Sequence, residues 1–198
     1  MKKKLHLIRS NSSRFGGAEN YLYRLSNALK KENLDHEIIH SFLPKFLPSW
    51  VRVLLFNMQL CLSKQEKFYY SLDRITCPDI YRAGDGVHKV FLSIEKKSKL
   101  NLLHPVYLYL ERHCFNNSKY IIANSKMIKQ EIIDTYEISP SKIKVIYNGI
   151  EFKKNSYLNS FEKLSKEFLI KKKQPVLLYV GSGFKRKGVA EFLKIVSE

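Results

Sequence analysis

Three short segments of this 198-residue chain hold residue types whose spacing could do chemistry. Arg14-Phe-Gly-Gly-Ala-Glu19 sets two adjacent glycines, Gly16 and Gly17, ahead of an amphipathic run. Glycine backbone permits close approach of a ligand, and a helix starting there turns free N–H groups toward an anion. The same residues would equally make a tight strand-to-helix turn. The spacing is not G-x-G-x-x-G, which disfavours a dinucleotide site of the dehydrogenase type. Tyr81-Arg-Ala-Gly-Asp-Gly-Val-His88 places Asp85 between two glycines at the end of a strand-like run. Ligands of open α/β sheets bind at the C-terminal edge of the strands, and a carboxylate there could take the proton of an attacking hydroxyl. Asp-Gly also favours turns for backbone reasons alone, the simpler reading if the motif stood by itself. Gly181-Ser-Gly-Phe-Lys-Arg-Lys-Gly188 follows an apolar run and opens a helix. Glycines, cations and a helix N-terminus suit a diphosphate, with a basic exposed loop as the alternative. The segment does not satisfy G-x-x-x-x-G-K-[ST], so it is not an ATPase P-loop.

Alternating strands and helices must position these segments. Lys4–Arg9 reads as a strand, and Ala18, Tyr21, Leu22, Leu25, Ala28 and Leu29 recur at helical spacing over about 17–31. Asp35–Ser41 reads as the next strand. The resulting βαβ unit argues for a parallel sheet covered by helices. After Pro44 and Pro48, Trp50–Leu62 is apolar almost all round apart from Arg52, Asn57 and Gln59. It reads as a buried helix in preference to a membrane-inserted one. Lys67–Leu72 and Pro78–Ala83 read as strands, and Val87–Phe115 as helix split near Pro105. Lys119–Ala123 is a further strand, and Ser125 caps a helix carrying Ile128, Ile132, Ile133 and Tyr136. Ile143–Tyr147 is a strand ended by Asn148-Gly149. Lys and Glu then dominate to Lys173, with Leu158, Phe161, Leu164 and Phe168 on one helical face. Val176–Val180 is the strongest buried-strand signal, and a last helix runs from about Gly188 to Ser197. The composition shift places a domain boundary near Phe152, giving segments 1–152 and 153–198.

Hydrophobic content of 44% with 13% aromatics is enough for a core and excludes wholesale disorder. The net charge of +17 suits nucleic acid, an anionic membrane face or phosphorylated small molecules; a surface simply rich in lysine is the alternative. Scattered basic residues without an aromatic platform argue against nucleic acid. Cys61, Cys77 and Cys114 are odd in number and form no C-x-x-C, so neither a disulfide framework nor a zinc site is expected, and a reducing cytoplasm is. His36 and His40 flank an apolar run and read as strand-end residues rather than metal ligands. The apolar run behind Met1-Lys2-Lys3-Lys4 is too short for a signal peptide, and Val53–Ser63 is too short to span a bilayer.

Taken together the motifs resemble the retaining glycosyltransferases of family 4, with the GT-B fold, and within that family the lipopolysaccharide core glucosyltransferase branch. The carriers are Phe15-Gly-Gly-Ala-Glu19, Ile80-Tyr-Arg-Ala-Gly-Asp-Gly86, Ala123-Asn-Ser125, Val145-Ile-Tyr-Asn-Gly-Ile150 and Tyr179-Val-Gly-Ser-Gly-Phe-Lys-Arg-Lys-Gly188. The resemblance implies an α/β chain: a Rossmann-like, acceptor-side domain over 1–152, then only the first β-α segment of a nucleotide-sugar-binding domain over 153–198. It implies transfer of a hexose from a nucleotide sugar, a UDP-sugar by preference, to a lipopolysaccharide-core or related glycan acceptor, without a metal. Asp85 would be the carboxylate at the reaction centre. Gly16, Gly17, Gly181, Arg186 and Lys187 would lie at the donor diphosphate. Glu19, Asn124, Ser125, Asn148 and Gly149 would line the acceptor side and the cleft. A cytoplasmic protein, peripheral on the inner face of the plasma membrane, would fit a lipid-linked acceptor. The basic residues of Lys89–Lys129 and the Trp50 helix would make that contact. A membrane- or nucleic-acid-binding module without catalysis is the competing reading.

The resemblance also sets an expectation about completeness. The family's second domain supplies a pair of Glu residues that hold the donor, and this sequence stops at Glu198, ahead of them. A frameshift, or a split gene with that half on a separate chain, would account for this. A lone strand at Val176–Val180 needs neighbours to satisfy its backbone. The 198-residue chain by itself is therefore expected to transfer no sugar, and limited proteolysis to trim residues after Phe152.

Overall fold

The computed structural model describes residues 4–13, 16–95, 101–149, 157–171, 175–180, 184 and 188–197. Two compact units are present, Met1–Asn148 and Gly149–Glu198. The first holds six short strands: β1 (Leu5–Ile8), β2 (His36–Ile39), β3 (Phe68–Ser71), β4 (Ile80–Ala83), β5 (Tyr120–Ala123) and β6 (Ile143–Val145). Its helices are α1 (Gly17–Lys31), α2 (Ser49–Leu62), α3 (His88–Glu95), α4 (Leu103–Asn117) and α5 (Lys126–Tyr136). Every strand pair is parallel, in the order β2-β1-β3-β4-β5-β6.

The order explains which helix covers which face. The chain steps from β1 to β2 in one direction, then from β2 over β1 to β3 and onward in the other. Crossovers are right-handed, so reversing direction moves the helices to the opposite face. Leu7 and Tyr70 accordingly pack on α1 through Leu22. Their strand neighbours Ile8 and Tyr69 point the other way, onto Phe56 and Leu60 of α2. Farther along that second face, Tyr81, Ile121 and Ile143 pack with Phe115 of α4 and Ile128 and Ile132 of α5. Alternation along each strand is what divides these residues between two layers.

Several local readings of the sequence hold. The Ser125 hydroxyl accepts from the Ile128 N–H at 3.1 Å and caps α5. His36 Nε2 lies 2.7 Å from Ser26 Oγ, and His40 Nδ1 lies 2.8 Å from the Arg9 carbonyl. The helical run after Val87 is split just ahead of Pro105, which sits in the first turn of α4. A proline there sacrifices no hydrogen bond, because the first N–H groups of a helix have no intrahelical acceptor. The Trp50 helix buries only Phe56 and Leu60 fully, and Met58 and Leu62 are exposed.

Cys61 and Cys77, which the spacing gave no reason to pair, form a disulfide with Cα atoms 5.7 Å apart. Packing of Phe56 and Leu60 on Tyr69 and Ile75 brings the end of α2 against the loop after β3, and local spacing carries no trace of that juxtaposition. The bond removes the cysteine argument for a reducing compartment. Cys114 is free and buried, and burial pushes its thiol up to about 12.

In the second unit α6 spans Tyr157–Glu167 and α7 spans Val189–Ser197. Residues 175–180 form no strand, contrary to the sequence pattern, and Val176, Leu177, Leu178 and Val180 are all more than half exposed. Among the described residues this segment has no strand neighbour, and a parallel strand without one cannot pair its backbone.

Reduction of Cys61–Cys77, which closes a loop of 16 residues, is expected to cost about 3 kcal/mol of stability. Urea unfolding with and without a reductant checks this; coincident curves would show that the bond contributes nothing.

Candidate active site

The strand order reverses between β1 and β3, and open α/β sheets hold ligands in the crevice outside the strand ends at such a point. A cavity of about 530 Å³ opens there. The loops after β1, β2, β3 and β4 supply Arg9–Ser12, Ser41, Leu43, Lys45, Asp73–Ile75 and Asp85. Helices α2 and α4 close it, the first with Ser49, Arg52, Val53 and Phe56 and the second with Leu103 and Tyr107.

Its floor is an ion network. Arg9 Nη2 meets Glu19 Oε1 at 2.7 Å, and Arg9 Nη1 meets Asp73 Oδ1 at 2.7 Å. The other Asp73 oxygen accepts from the Ser10 N–H. One guanidinium therefore ties the loop after β1 to α1 and to the loop after β3. Burial opposes charge on Arg9, but Asp73 and Glu19, with Asp85 behind them, raise its pKa. Glu19 shows the same balance: burial alone would raise its pKa, and the bond from Arg9 brings it below the usual range.

Asp85 is exposed at the cavity wall, in a loop secured from beneath. Gly86 takes φ 74°, a left-handed conformation that side chains rarely adopt. Arg74 Nη2 donates to the Gly86 carbonyl at 3.1 Å, and Arg74 Nε donates to Glu111 Oε1 at 2.8 Å. Glu111 is 0% exposed. It also accepts from the His88 N–H at 2.7 Å, the Lys89 N–H at 3.3 Å and the Tyr136 hydroxyl at 2.7 Å. The carboxylate thus caps the start of α3, where its charge also suits the helix dipole. Burial first, then the positive charge of Arg74, lowers the pKa of His88.

The sequence-derived site residues are placed as follows. Gly16 is the N-cap of α1 with φ 136°, and a Cβ there would collide with the Glu19 carboxylate. Gly17 opens α1 with free space beside it. Neither lines the cavity, whereas Glu19 serves it through Arg9. Asn124 Nδ2 donates to the Gly84 carbonyl at 3.1 Å, which braces the Asp85 loop from β5. Its Oδ1 is buried with no partner among the described residues. The Ser125 hydroxyl is engaged as a helix cap. Asn148 accepts from Arg82 Nη2 at 2.7 Å, and Gly149 begins the second unit. Gly181, Arg186 and Lys187 lie outside the described residues. Among the described residues no group of three His, Cys, Asp or Glu side chains could hold a metal ion.

Comparison with known proteins bears on this geometry. Residues 84–154 match the sequence model described as Glycosyltransferase Family 4. The matched segment contains Asp85, Asn124, Ser125, Asn148 and Gly149. The structure is similar to that of WaaG, a glycosyltransferase involved in lipopolysaccharide biosynthesis, with a TM-score of 0.76 at 19% identity. The match covers 96% of this chain and 58% of that one, so the chain spans a little over half the length of the solved enzyme. At that identity the likeness shows the fold, the α/β parallel-sheet architecture of a GT-B glycosyltransferase. No curated protein sequence matches the chain.

Sequence reasoning missed Arg9, Asp73, Arg74, Tyr107 and Glu111. Asp73 and Arg74 directly follow a readable strand, and a search of all strand ends for charged pairs would have found them. Glu111 has no such signal, being a single acid in a helix. Replacing it tests the scaffold. Glu111→Gln leaves the Arg74 charge uncompensated, and loss of one partner of a buried pair costs about 3–5 kcal/mol. Adding Arg74→Met should recover part of that loss in urea unfolding; fully additive losses would refute the coupling.

Proposed function

We propose that the cavity at the switch point is the acceptor site of a glycosyltransferase. In this reading the enzyme moves a hexose from a nucleotide sugar to a hydroxyl of a lipopolysaccharide-core or related glycan, with retention at the sugar carbon. The observation that carries it is Asp85: an exposed carboxylate on a cavity at the sheet's C-terminal edge, inside the segment that matches family 4. The acceptor hydroxyl donates its hydrogen bond to Asp85 as its oxygen forms the new bond to the sugar carbon. The bond from that carbon to the donor phosphate breaks, the nucleoside diphosphate leaves, and the hydroxyl proton passes to the carboxylate or to the leaving phosphate. Charge on the departing diphosphate needs cations, and Arg186 and Lys187 are the residues that the family resemblance gives this work, in place of a metal.

In the enzyme that contains this chain, Asp85→Asn is expected to lower kcat by about 10²–10⁴-fold while changing the donor KM little. Steady-state assays with a nucleotide sugar and a glycan acceptor decide this; an unaltered kcat would return Asp85 to a turn-forming role.

One surface feature favours a membrane contact alongside transfer. Phe42 and Phe46 are 89% and 84% exposed on the loop between β2 and α2, either side of Lys45. No described helix is long and apolar enough to cross a membrane, so contact through this loop would be peripheral. Aromatic rings and cations together suit an anionic interface, where each basic residue contributes about 1 kcal/mol. Phe42→Ser with Phe46→Ser should weaken cosedimentation with anionic vesicles several-fold. Equal binding of the native chain to neutral and anionic vesicles would count against the reading.

A further inference from the structure

The cations lining the cavity fall into two classes. Arg9 is paired with Glu19 and Asp73, and Arg74 with Glu111. These two are neutralised locally and build the floor. Lys45 and Arg52 have no carboxylate partner among the described residues, although both line the same cavity. Arg52 reaches only the Ser49 hydroxyl, at 3.4 Å, and its Nε is buried without an acceptor among the described residues. A buried guanidinium N–H without an acceptor is costly, and native structures rarely leave one so.

The rest of that wall points the same way. Pro48 occupies the N-cap of α2, no side chain caps the helix, and its first turn has no acid. The open N–H groups of a 14-residue helix therefore begin beside Ser49 and Arg52, both on the cavity. Ser41 adds a hydroxyl from the end of β2. The remaining carboxylate of the lining is Asp85, on the loop after β4, the group placed at the reaction centre. The lining thus combines an acid where a hydroxyl would react with two uncompensated cations, a helix start and serine hydroxyls contributed by the loop after β2 and by α2.

We propose that Lys45, Arg52 and the first turn of α2 form an anion subsite that takes a phosphoryl group carried by the acceptor. The assignment rests on the acceptor-site reading of the cavity and makes it more specific: the acceptor is a phosphorylated sugar. Arg52 presents planar donors to the phosphoryl oxygens, and Lys45 adds a point charge. Binding there would orient the sugar with its free hydroxyls toward Asp85. The same phosphoryl chemistry could come from a lipid headgroup meeting Lys45 on the exposed loop, and the test separates the two sources.

Trp50 is the only tryptophan and lies between Ser49 and Arg52 in sequence, so its fluorescence reports on this turn. The full chain is titrated at constant ionic strength with glucose, glucose 6-phosphate and inorganic phosphate, and separately with anionic vesicles. Glucose 6-phosphate is expected to bind at least tenfold more tightly than glucose. Arg52→Gln and Lys45→Gln should each remove most of that advantage, read as the ratio of glucose 6-phosphate affinity to glucose affinity in the same variant. Circular dichroism of each variant controls for folding, which the packing of Phe56 and Leu60 of α2 on the sheet should preserve. Equal affinity for glucose and glucose 6-phosphate would overturn the subsite while leaving the acceptor pocket standing, provided Asp85→Asn still weakens glucose. No binding of either sugar would remove both readings. Phosphate binding that neither variant alters would overturn the subsite. So would variants that weaken vesicle binding alone, which would assign the cations to a membrane surface.

Discussion

A carboxylate with no exposure at all, Glu111, organises the half of the fold on which Asp85 depends. Burying a charge is costly unless its hydrogen-bonding capacity is filled. Here Arg74, two N–H groups at the start of α3 and the Tyr136 hydroxyl fill it. Burial and the neighbouring carboxylate both raise the Tyr136 pKa, so the phenol stays a donor. Through these bonds Glu111 connects the loop after β3, the loop after β4, α3, α4 and α5. The Asp85 loop can then be short and still hold one conformation, because Arg74 and Asn124 grip the carbonyls on either side of it.

A second buried carboxylate does matching work at the opposite edge of the sheet. Asp79, just before β4, accepts from the Tyr69 N–H at 2.9 Å and pairs with Lys64 and Lys119 at 3.2 and 2.9 Å. It aligns β3 with β4 at the end where no ligand chemistry is expected. The two networks differ in consequence. Asp79 draws its cations from the surface and leaves strand ends tied. Glu111 draws an arginine whose other N–H groups reach toward the cavity, so the same pair stabilises the fold and shapes the site.

The switch point makes such a division of labour available. Reversal of strand order opens a gap between the loops after β1 and β3, and that gap must be lined by polar loop residues rather than packed helix. Arg9 and Asp73 stitch its base across the gap. The elements that line it remain free to differ, and they do: the loop after β4 brings Asp85, and the loop after β2 with α2 brings Lys45 and Arg52.

Much of the architecture was legible in the sequence because it is local. Hydrophobic period separates α1 from β1 and β2, and a side-chain cap marks α5 at Ser125. The Gly-Asp-Gly run flags the loop after β4 because glycine is needed where φ is positive. The family resemblance rested on the same local runs, and the match over residues 84–154 falls on several of them. What the sequence could not state is which distant residues meet. Neither the Cys61–Cys77 bond nor the pairing of Arg74 with Glu111, 37 residues apart, has a local signature. Val176–Val180 reads as a buried strand by composition yet forms none, since a strand exists only where another strand pairs with it. Periodicity and turn chemistry are properties of neighbours in the chain, and these the sequence determined. Charge compensation, strand pairing and the polarity of a cavity are properties of neighbours in space, and only the tertiary structure decided them.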